Sequence, residues 1–330
     1  MRSQVEPINK PIFIVSSGRS GSTILTWCLG QHPNILPQEE SNWLGPFAID
    51  AAASYRRGSV RGERGQLSAN FIERDEFLAQ LGQTINELIV SHRTKFENAN
   101  LRKQAGWYPP PFAISRSSGE RKSRWVDGTP EYSLYICGLR KLFPQALFVH
   151  LIRNVRDVVR SLLNFYPDGR NRLVANEQAA YEYWLRRVTP CVDAELAYGP
   201  SVVYRMRYGD LVEQPEAAMR SLLHFLGEPY APECLEPLAE RINSANVTDN
   251  FNEREPTTDQ AIVEQAKQLS DRLQSSPQTR KPSVLVAEKL QSEFNQRVQY
   301  FFDLEKKFSE AQKLIEKLQK EREMLNSSPM

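Results

Sequence analysis

Residues Pro11 to His32 read PIFIVSSGRSGSTILTWCLGQH and constrain the architecture more than any other stretch. A β-type apolar run, Ile12-Phe13-Ile14-Val15, breaks into Ser16-Ser17-Gly18-Arg19-Ser20-Gly21-Ser22-Thr23. Apolar residues then resume at helical spacing with Ile24, Leu25, Cys28 and Leu29. That pattern is a buried strand, a turn of small residues and a helix. The small residues leave backbone N–H groups uncovered, and the helix start adds free donors and the positive end of its dipole. Such a turn is an anion site, most naturally for phosphate. Arg19 adds a permanent charge with a planar fork of donors suited to phosphate or sulfate. A strand-to-helix turn without a ligand has the same outline, but its place directly after an N-terminal strand weighs toward an anion. A Walker A loop requires Gly-x-x-x-x-Gly-Lys-Ser/Thr. Here Gly18 lies three residues before Gly21, and Ser22 and Thr23 follow with no lysine between. The loop therefore argues against an ordinary ATP or GTP hydrolase.

Downstream, strands and helices alternate. Trp125 to Glu131 reads as a short strand ending in a turn, and a helix over roughly Leu134 to Leu142 stops before Pro144. Ala146 to Ile152 is the most strand-like run; Arg153 and a helix with Val155, Val158, Val159, Leu162 and Leu163 inward follow it. Ala175 to Ala197 is helical with a break at Pro190, and Ser201 to Arg207 is a further strand. Tyr208-Gly209-Asp210-Leu211 turns into a helix, Pro215 to Leu226, with Gly227 as its stop. The alternation predicts an α/β fold, a parallel sheet wrapped by helices. Arg153 falls at the C-terminal edge of a buried strand, where open α/β sheets bind ligands. Ser161 lies about two helical turns further on. A structural ion pair is the other use for such an arginine. Gln38-Glu39-Glu40-Ser41 sets two adjacent carboxylates just after the anion loop's helix, as a general base or as a solvated acidic turn.

At 330 residues the chain can hold one large domain or two smaller ones. Net charge is 42 − 40 = +2, too small to imply nucleic acid. No apolar run approaches the roughly 20 residues of a membrane helix, and MRSQVEPINK is no secretory signal. Four scattered cysteines point to reduced thiols and a cytoplasmic setting, and four histidines without ligand spacing give no metal site. Residues 56–124 read as an insertion between core elements. Arg56 to Gly65 is expected to be a mobile loop and Phe71 to Val90 an amphipathic helix. Trp107, Tyr108 and Phe112 lie in a Pro-stiffened loop that either lines an acceptor pocket or is a surface excursion. Asn243 to Pro282 is expected to be a loop with one short helix. From Leu290 onward apolar residues follow a heptad: Phe294, Phe301, Phe308 and Ile315 in one position, Leu290, Leu304, Ala311, Leu318 and Leu325 in the other. Arg297 and Arg322 interrupt the seam. This predicts a long helix over 283–330 that forms a coiled coil and makes the protein a homo-oligomer. A single helix docked on the body is the alternative. The division is thus a body over 1–282 and a helix over 283–330.

With both motifs in view, the chain resembles a known family. Phe13 to Thr23 resembles the 5′-phosphosulfate loop of sulfotransferases that use 3′-phosphoadenosine 5′-phosphosulfate (PAPS). Phe148-Val149-His150-Leu151-Ile152-Arg153, continuing to Ser161, resembles their 3′-phosphate motif, and Tyr208-Gly209-Asp210-Leu211 resembles the segment whose tyrosine lies near the adenosine. The resemblance covers roughly Pro11 to Pro229. It implies a P-loop NTPase-like sulfotransferase fold and PAPS bound without metal by Gly18, Arg19, Ser20, Gly21, Ser22, Thr23, Arg153, Ser161 and Tyr208. It implies in-line attack of an acceptor hydroxyl on sulfur, with Arg19 and the loop N–H groups stabilising the growing charge. His32-Pro33 and Glu39-Glu40 stand at the offsets seen in tyrosylprotein sulfotransferases, which implies Glu40 as the base, with Glu39 next and His92 a remote candidate. Many relatives carry a lysine in an Asp-Lys-Thr-Pro turn where this chain has Gly128. Arg280 and Lys281 are candidates for a C-terminal cofactor segment. The acceptor reading leans to carbohydrate, with a tyrosyl peptide or small molecule open. The competing functions are a kinase using ATP and Mg²⁺ through a degenerate loop, and a non-catalytic coiled-coil assembly protein.

Overall fold

The computed structural model describes residues 10–59, 65–98, 122–166, 170–239, 258–278 and 281–327. Trp107, Tyr108, Phe112 and Arg280 lie outside them.

The apolar runs become strands β1 (Ile12–Val15), β2 (Ile35–Pro37), β3 (Arg124–Asp127), β4 (Leu147–Ile152) and β5 (Val203–Arg207). All neighbouring pairs are parallel, in the order β2-β3-β1-β4-β5. The register sets Phe13 beside Phe148 and Val15 beside His150, so β1 and β4 end at one edge. Both faces of β1 are buried, which is why its residues are uniformly apolar.

The intervening segments form α1 (Ser22–Gly30), α2 (Leu44–Ser59), α3 (Gln66–Ala69), α4 (Arg74–Asn98), α5 (Ile136–Leu142), α6 (Val155–Leu163), α7 (Glu177–Tyr198), α8 (Tyr208–Glu213), α9 (Pro215–Leu226), α10 (Gln260–Ser275) and α11 (Val284–Ser327). Two 3₁₀ turns, Pro130–Leu134 and Pro232–Ala239, complete them. On one face of the sheet Phe13, Trp125 and Phe148 pack under α2, α4, α5, α7 and the start of α11. Phe13 meets Trp125 edge-on at 5.4 Å between centroids and stacks on Phe148 at 5.5 Å. On the other face Ile12, Ile14, Val126, Val149 and Leu151 pack under α1 and α9.

Several elements differ from the sequence expectation. The connection after α1 contains β2, one of the sheet's two edge strands. Arg56 and Arg57 belong to the last turn of α2 rather than to a loop. Helix α7 continues through Pro190. A proline there removes one backbone bond and crowds the preceding turn, a cost of about 3 kcal/mol. Burial of Trp184, Val188, Cys191 and Ala194 on both sides of it offsets that cost. Helix α10 is sixteen residues long, with Val263, Ala266 and Leu273 buried among residues of α6 and α7. Beside it Gln278 accepts from Arg205 N–H at 3.1 Å and donates to the Val203 carbonyl, covering the open edge of β5. Helix α11 divides in two. Leu290, Phe294 and Val298 are buried against the body, whereas Leu304, Phe308, Ile315 and Leu318 are exposed. No helix among the described residues is long and apolar enough to cross a membrane.

Candidate active site

The turn from Ser16 to Gly21 carries two residues in the left-handed region, Arg19 at φ 69° and Gly21 at φ 102°. Gly21 is the N-cap of α1 and supplies no side-chain cap, so the first N–H groups of α1 face the hollow of the turn. Both glycines are needed for space. A Cβ on Gly21 would stand 2.6 Å from the Tyr208 ring, and one on Gly18 would stand 2.7 Å from the Tyr183 hydroxyl. Two tyrosines from distant segments thus close over the turn.

Arg153, the first residue beyond β4, donates to the Arg19 carbonyl at 3.3 Å, and its guanidinium lies 4.8 Å from the centre of the Tyr208 ring. Its Nε is buried without a hydrogen-bond partner. Arg19 donates from Nε to Ser161 Oγ at 3.1 Å and lies over Phe165 at 4.3 Å. Burial lowers the pKa of Arg19, and the neighbouring charge of Arg153 lowers it further. Among the described residues neither guanidinium is paired with a carboxylate. Two like charges held together in a partly desolvated turn call for an anion between them. The loop, Arg153, Ser161 and Tyr208 lie together, with Arg19 turned toward Ser161.

Glu40 accepts from Thr23 Oγ1 at 2.9 Å, which sets its carboxylate against the first turn of α1. Glu40 is exposed as a residue, but partial desolvation of its carboxyl raises its pKa, with Glu131 adding to the rise, while Thr23 and Arg19 oppose it. Glu39 is exposed and makes no hydrogen bond within the described structure. His92 is exposed on α4 and, among the described residues, bonds within its own turn, to Ser91 and the Leu88 carbonyl.

The backbone beside Glu40 is held on both sides. Ser41 N–H donates to Thr129 Oγ1 at 3.0 Å, and the Ser41 carbonyl accepts from Tyr132 Oη at 2.7 Å. Thr129 in turn donates from Oγ1 to Asp127 at 2.6 Å and from its N–H at 2.9 Å. Burial pushes the Asp127 carboxyl up to about 6. The turn after β3 therefore braces the Glu40 segment. Gly128 sits inside it against α1, where a Cβ would stand 2.3 Å from Thr26 Oγ1. A lysine at that position would have to displace the Thr26 hydroxyl.

Sequence reasoning missed a second cluster on α7. Arg187 lies 3.4 Å over the Tyr183 ring and 3.7 Å from Glu131, with its Nε buried and unpartnered. Burial raises the Tyr183 pKa. The spacing of Tyr183 and Arg187, one helical turn, gave no signal, because only the packing of α7 decides which face meets the loop.

The chain matches the model of the sulfotransferase family over residues 11–232. The chain belongs to that family. As a member this sulfotransferase is an enzyme on a parallel α/β sheet, as its motifs predict. It is 25% identical to an uncharacterized protein of Aquifex aeolicus over 72% of its own length and 28% of that protein's. It is 20% identical to a putative protein-tyrosine sulfotransferase of Caenorhabditis briggsae over 68% of each chain. It is 24% identical to an omega-hydroxy-beta-dihydromenaquinone-9 sulfotransferase of Mycobacterium bovis, covering 70% of this chain and 67% of that one.

Proposed function

We propose that this sulfotransferase moves a sulfuryl group from PAPS to an acceptor hydroxyl, with Glu40 as the base. The observation that carries the reading is the placement of a carboxylate, bound to Thr23, beside a turn that also gathers two guanidinium groups with no salt bridge among the described residues. Gly18 to Thr23 would hold the 5′-phosphosulfate on backbone N–H groups. Arg153 and Ser161 would take the 3′-phosphate, and Tyr208 would lie along the adenosine. The buried, unpartnered Nε of Arg153 fits that assignment, since a phosphate oxygen would satisfy it. Arg19, which donates to Ser161 Oγ, would turn from it to reach the bridging oxygen.

The acceptor oxygen attacks sulfur opposite the oxygen that bridges to the 5′-phosphate. The S–O bond to the acceptor forms as the bridging bond breaks. The proton passes to Glu40, and the electron pair leaves on 3′-phosphoadenosine 5′-phosphate. Charge would gather on the bridging and sulfuryl oxygens, where the preorganised loop N–H groups stabilise it, joined by Arg19 once it turns from Ser161. A raised pKa suits Glu40 to this work, because a base near the operating pH accepts a proton more readily.

Relatives named for tyrosine and for a hydroxylated quinone differ in acceptor, so the lean to carbohydrate rests on an exposed aromatic residue near the base in sequence. Trp43, three residues after Glu40, is 45% exposed and packs its ring on Phe47 at 5.9 Å. An exposed aromatic side chain three residues from the base in sequence suits the apolar face of a sugar ring. The setting is proposed to be cytoplasmic. The test is calorimetric titration with 3′-phosphoadenosine 5′-phosphate beside ATP with Mg²⁺. Tight binding of the first without metal supports the reading. Preference for ATP with Mg²⁺ overturns it in favour of a kinase, and binding of neither leaves an assembly role.

A further inference from the structure

Beyond Glu305, whose carboxylate meets Arg57 of α2, helix α11 continues to Ser327 with no hydrogen bond to the body among the described residues. At 1.5 Å per residue that is a free rod of about 33 Å. In proteins most helical stability comes from packing an apolar face, so the exposed stripe along this rod calls for a partner. Leu304, Phe308, Leu314, Ile315 and Leu318 are between 48% and 63% exposed along it.

The geometry points to a second copy of this chain, paired antiparallel through the free half of α11. The spacing of Leu304, Phe308, Ala311, Ile315 and Leu318 is the alternating four and three of a heptad seam. In an antiparallel pair each first-position residue faces a fourth-position residue. Phe308 then faces the partner's Leu318, and Ala311 faces the partner's Ile315. Large meets medium and small meets branched, so the seam keeps one width. A parallel pair would set Phe308 on the partner's Phe308 and Ala311 on the partner's Ala311, a wide layer beside a gap.

The flanks agree. Lys307 and Glu321 occupy equivalent flanking positions, so antiparallel pairing sets Lys307 against the partner's Glu321, twice by symmetry. Within one chain Glu321 has only a loose, exposed contact with Lys317 at 3.8 Å. Leu314 lies on the same flank midway between them and meets the partner's Leu314 on the two-fold axis. Parallel pairing would leave Leu314 in water and give Lys307 the uncharged partner's Gln312. Arg322 falls opposite the partner's Leu304, where its stem can cover the leucine while the guanidinium stays wet. The same register brings the last helical turn level with the partner's Phe301 and Tyr300. These two residues line a groove of about 960 Å³ at the root of α11, together with Leu185, Ile262 and Arg297.

Light scattering on the full chain should give twice the 37.9 kDa chain mass at tens of micromolar. Lys307→Glu should weaken the dimer about tenfold, because two attractive contacts become repulsive. The double exchange Lys307→Glu with Glu321→Lys should restore it. Under mild oxidation Leu314→Cys should cross-link into dimers and Leu318→Cys should not. A monomer, a larger oligomer, or cross-linking by Leu318→Cys in place of Leu314→Cys overturns the proposal. Titration of each variant with 3′-phosphoadenosine 5′-phosphate keeps this outcome separate from the cofactor reading, since the paired helices do not touch the loop.

Discussion

Replacing Thr129 with valine keeps the shape of the turn after β3 and removes one oxygen. That oxygen accepts from Ser41 N–H at 3.0 Å and donates to Asp127 at 2.6 Å. A neutral hydrogen bond contributes about 1 kcal/mol net, and one to a charged group about 1.5–3 kcal/mol. The variant should therefore lose roughly 2.5–4 kcal/mol of stability, with the Ser41 N–H left unpaired. Asp127 keeps the Thr129 N–H but loses its hydroxyl donor, so its carboxyl should titrate above about 6. The catalytic effect follows from position. Ser41 is bonded to Glu40 in sequence, and a general base contributes about 10²–10⁴ in rate only when held in place. The turnover number should fall about tenfold or more while the affinity for 3′-phosphoadenosine 5′-phosphate stays within about twofold. Thr129→Ser, which retains the oxygen, should recover most of the rate. The assays are steady-state kinetics across pH, calorimetry with the desulfated cofactor, and urea unfolding. A destabilised variant whose turnover and acid inflection match the parent would refute the brace, reducing it to a structural contact with no hold on Glu40.

Glu40→Gln should lower turnover by about 10²-fold or more with cofactor affinity nearly unchanged, measured by single-turnover sulfuryl transfer; full activity would move the base elsewhere. Because Glu40 must be unprotonated and its pKa is raised, activity should be lost on the acid side at a higher pH than an ordinary carboxylate would give. Thr23→Val removes the donor that favours the carboxylate and should move that inflection further up. Arg153→Ala should weaken 3′-phosphoadenosine 5′-phosphate by about 1–3 kcal/mol in calorimetry, the range of a charge-assisted bond. The buried Glu195 accepts from His150 at 2.6 Å and from Arg205 at 3.0 Å. Burial alone would raise its pKa, but His150 and Arg205 outweigh it and hold it below 4.5. Stability from this group is therefore present above pH 4.5 and lost as pH falls through the lower, folded value. Urea midpoints followed downward from pH 6 should show that loss, and Glu195→Gln should flatten it.

The anion turn was legible because small residues, a strand before it and a helix after it coincide in one short stretch. Arg153 and Ser161 were legible for the same reason: a buried strand ends and a helix begins. Strand β2 was not, since three residues ending in Pro37 carry no period and take their strand geometry from β3. Helix α7 passes Pro190 because tertiary burial outweighs a local break. The brace at Ser41 joins residues 88 positions apart, and nothing in either segment announces the other. Helix α11 was legible as a helix but not in its division. Phe294 and Phe308 share one heptad position, yet the first is buried on the body and the second is not. Apolar spacing states that a face must be covered, not by what.

The family match ends at residue 232, but the folding unit does not. Gln278 finishes the hydrogen-bonding rim of β5. Ser270 Oγ accepts from Val155 N–H at 3.3 Å, at the first turn of α6, which also bears Ser161. Thr258 donates to Glu177 at the start of α7 at 2.9 Å. A protein excised at the limit of family similarity would keep every motif residue yet carry a raw strand edge, the kind of surface on which chains add to one another. The smallest piece worth purifying for this site therefore extends at least through Gln278, and sequence likeness alone would place the cut too early.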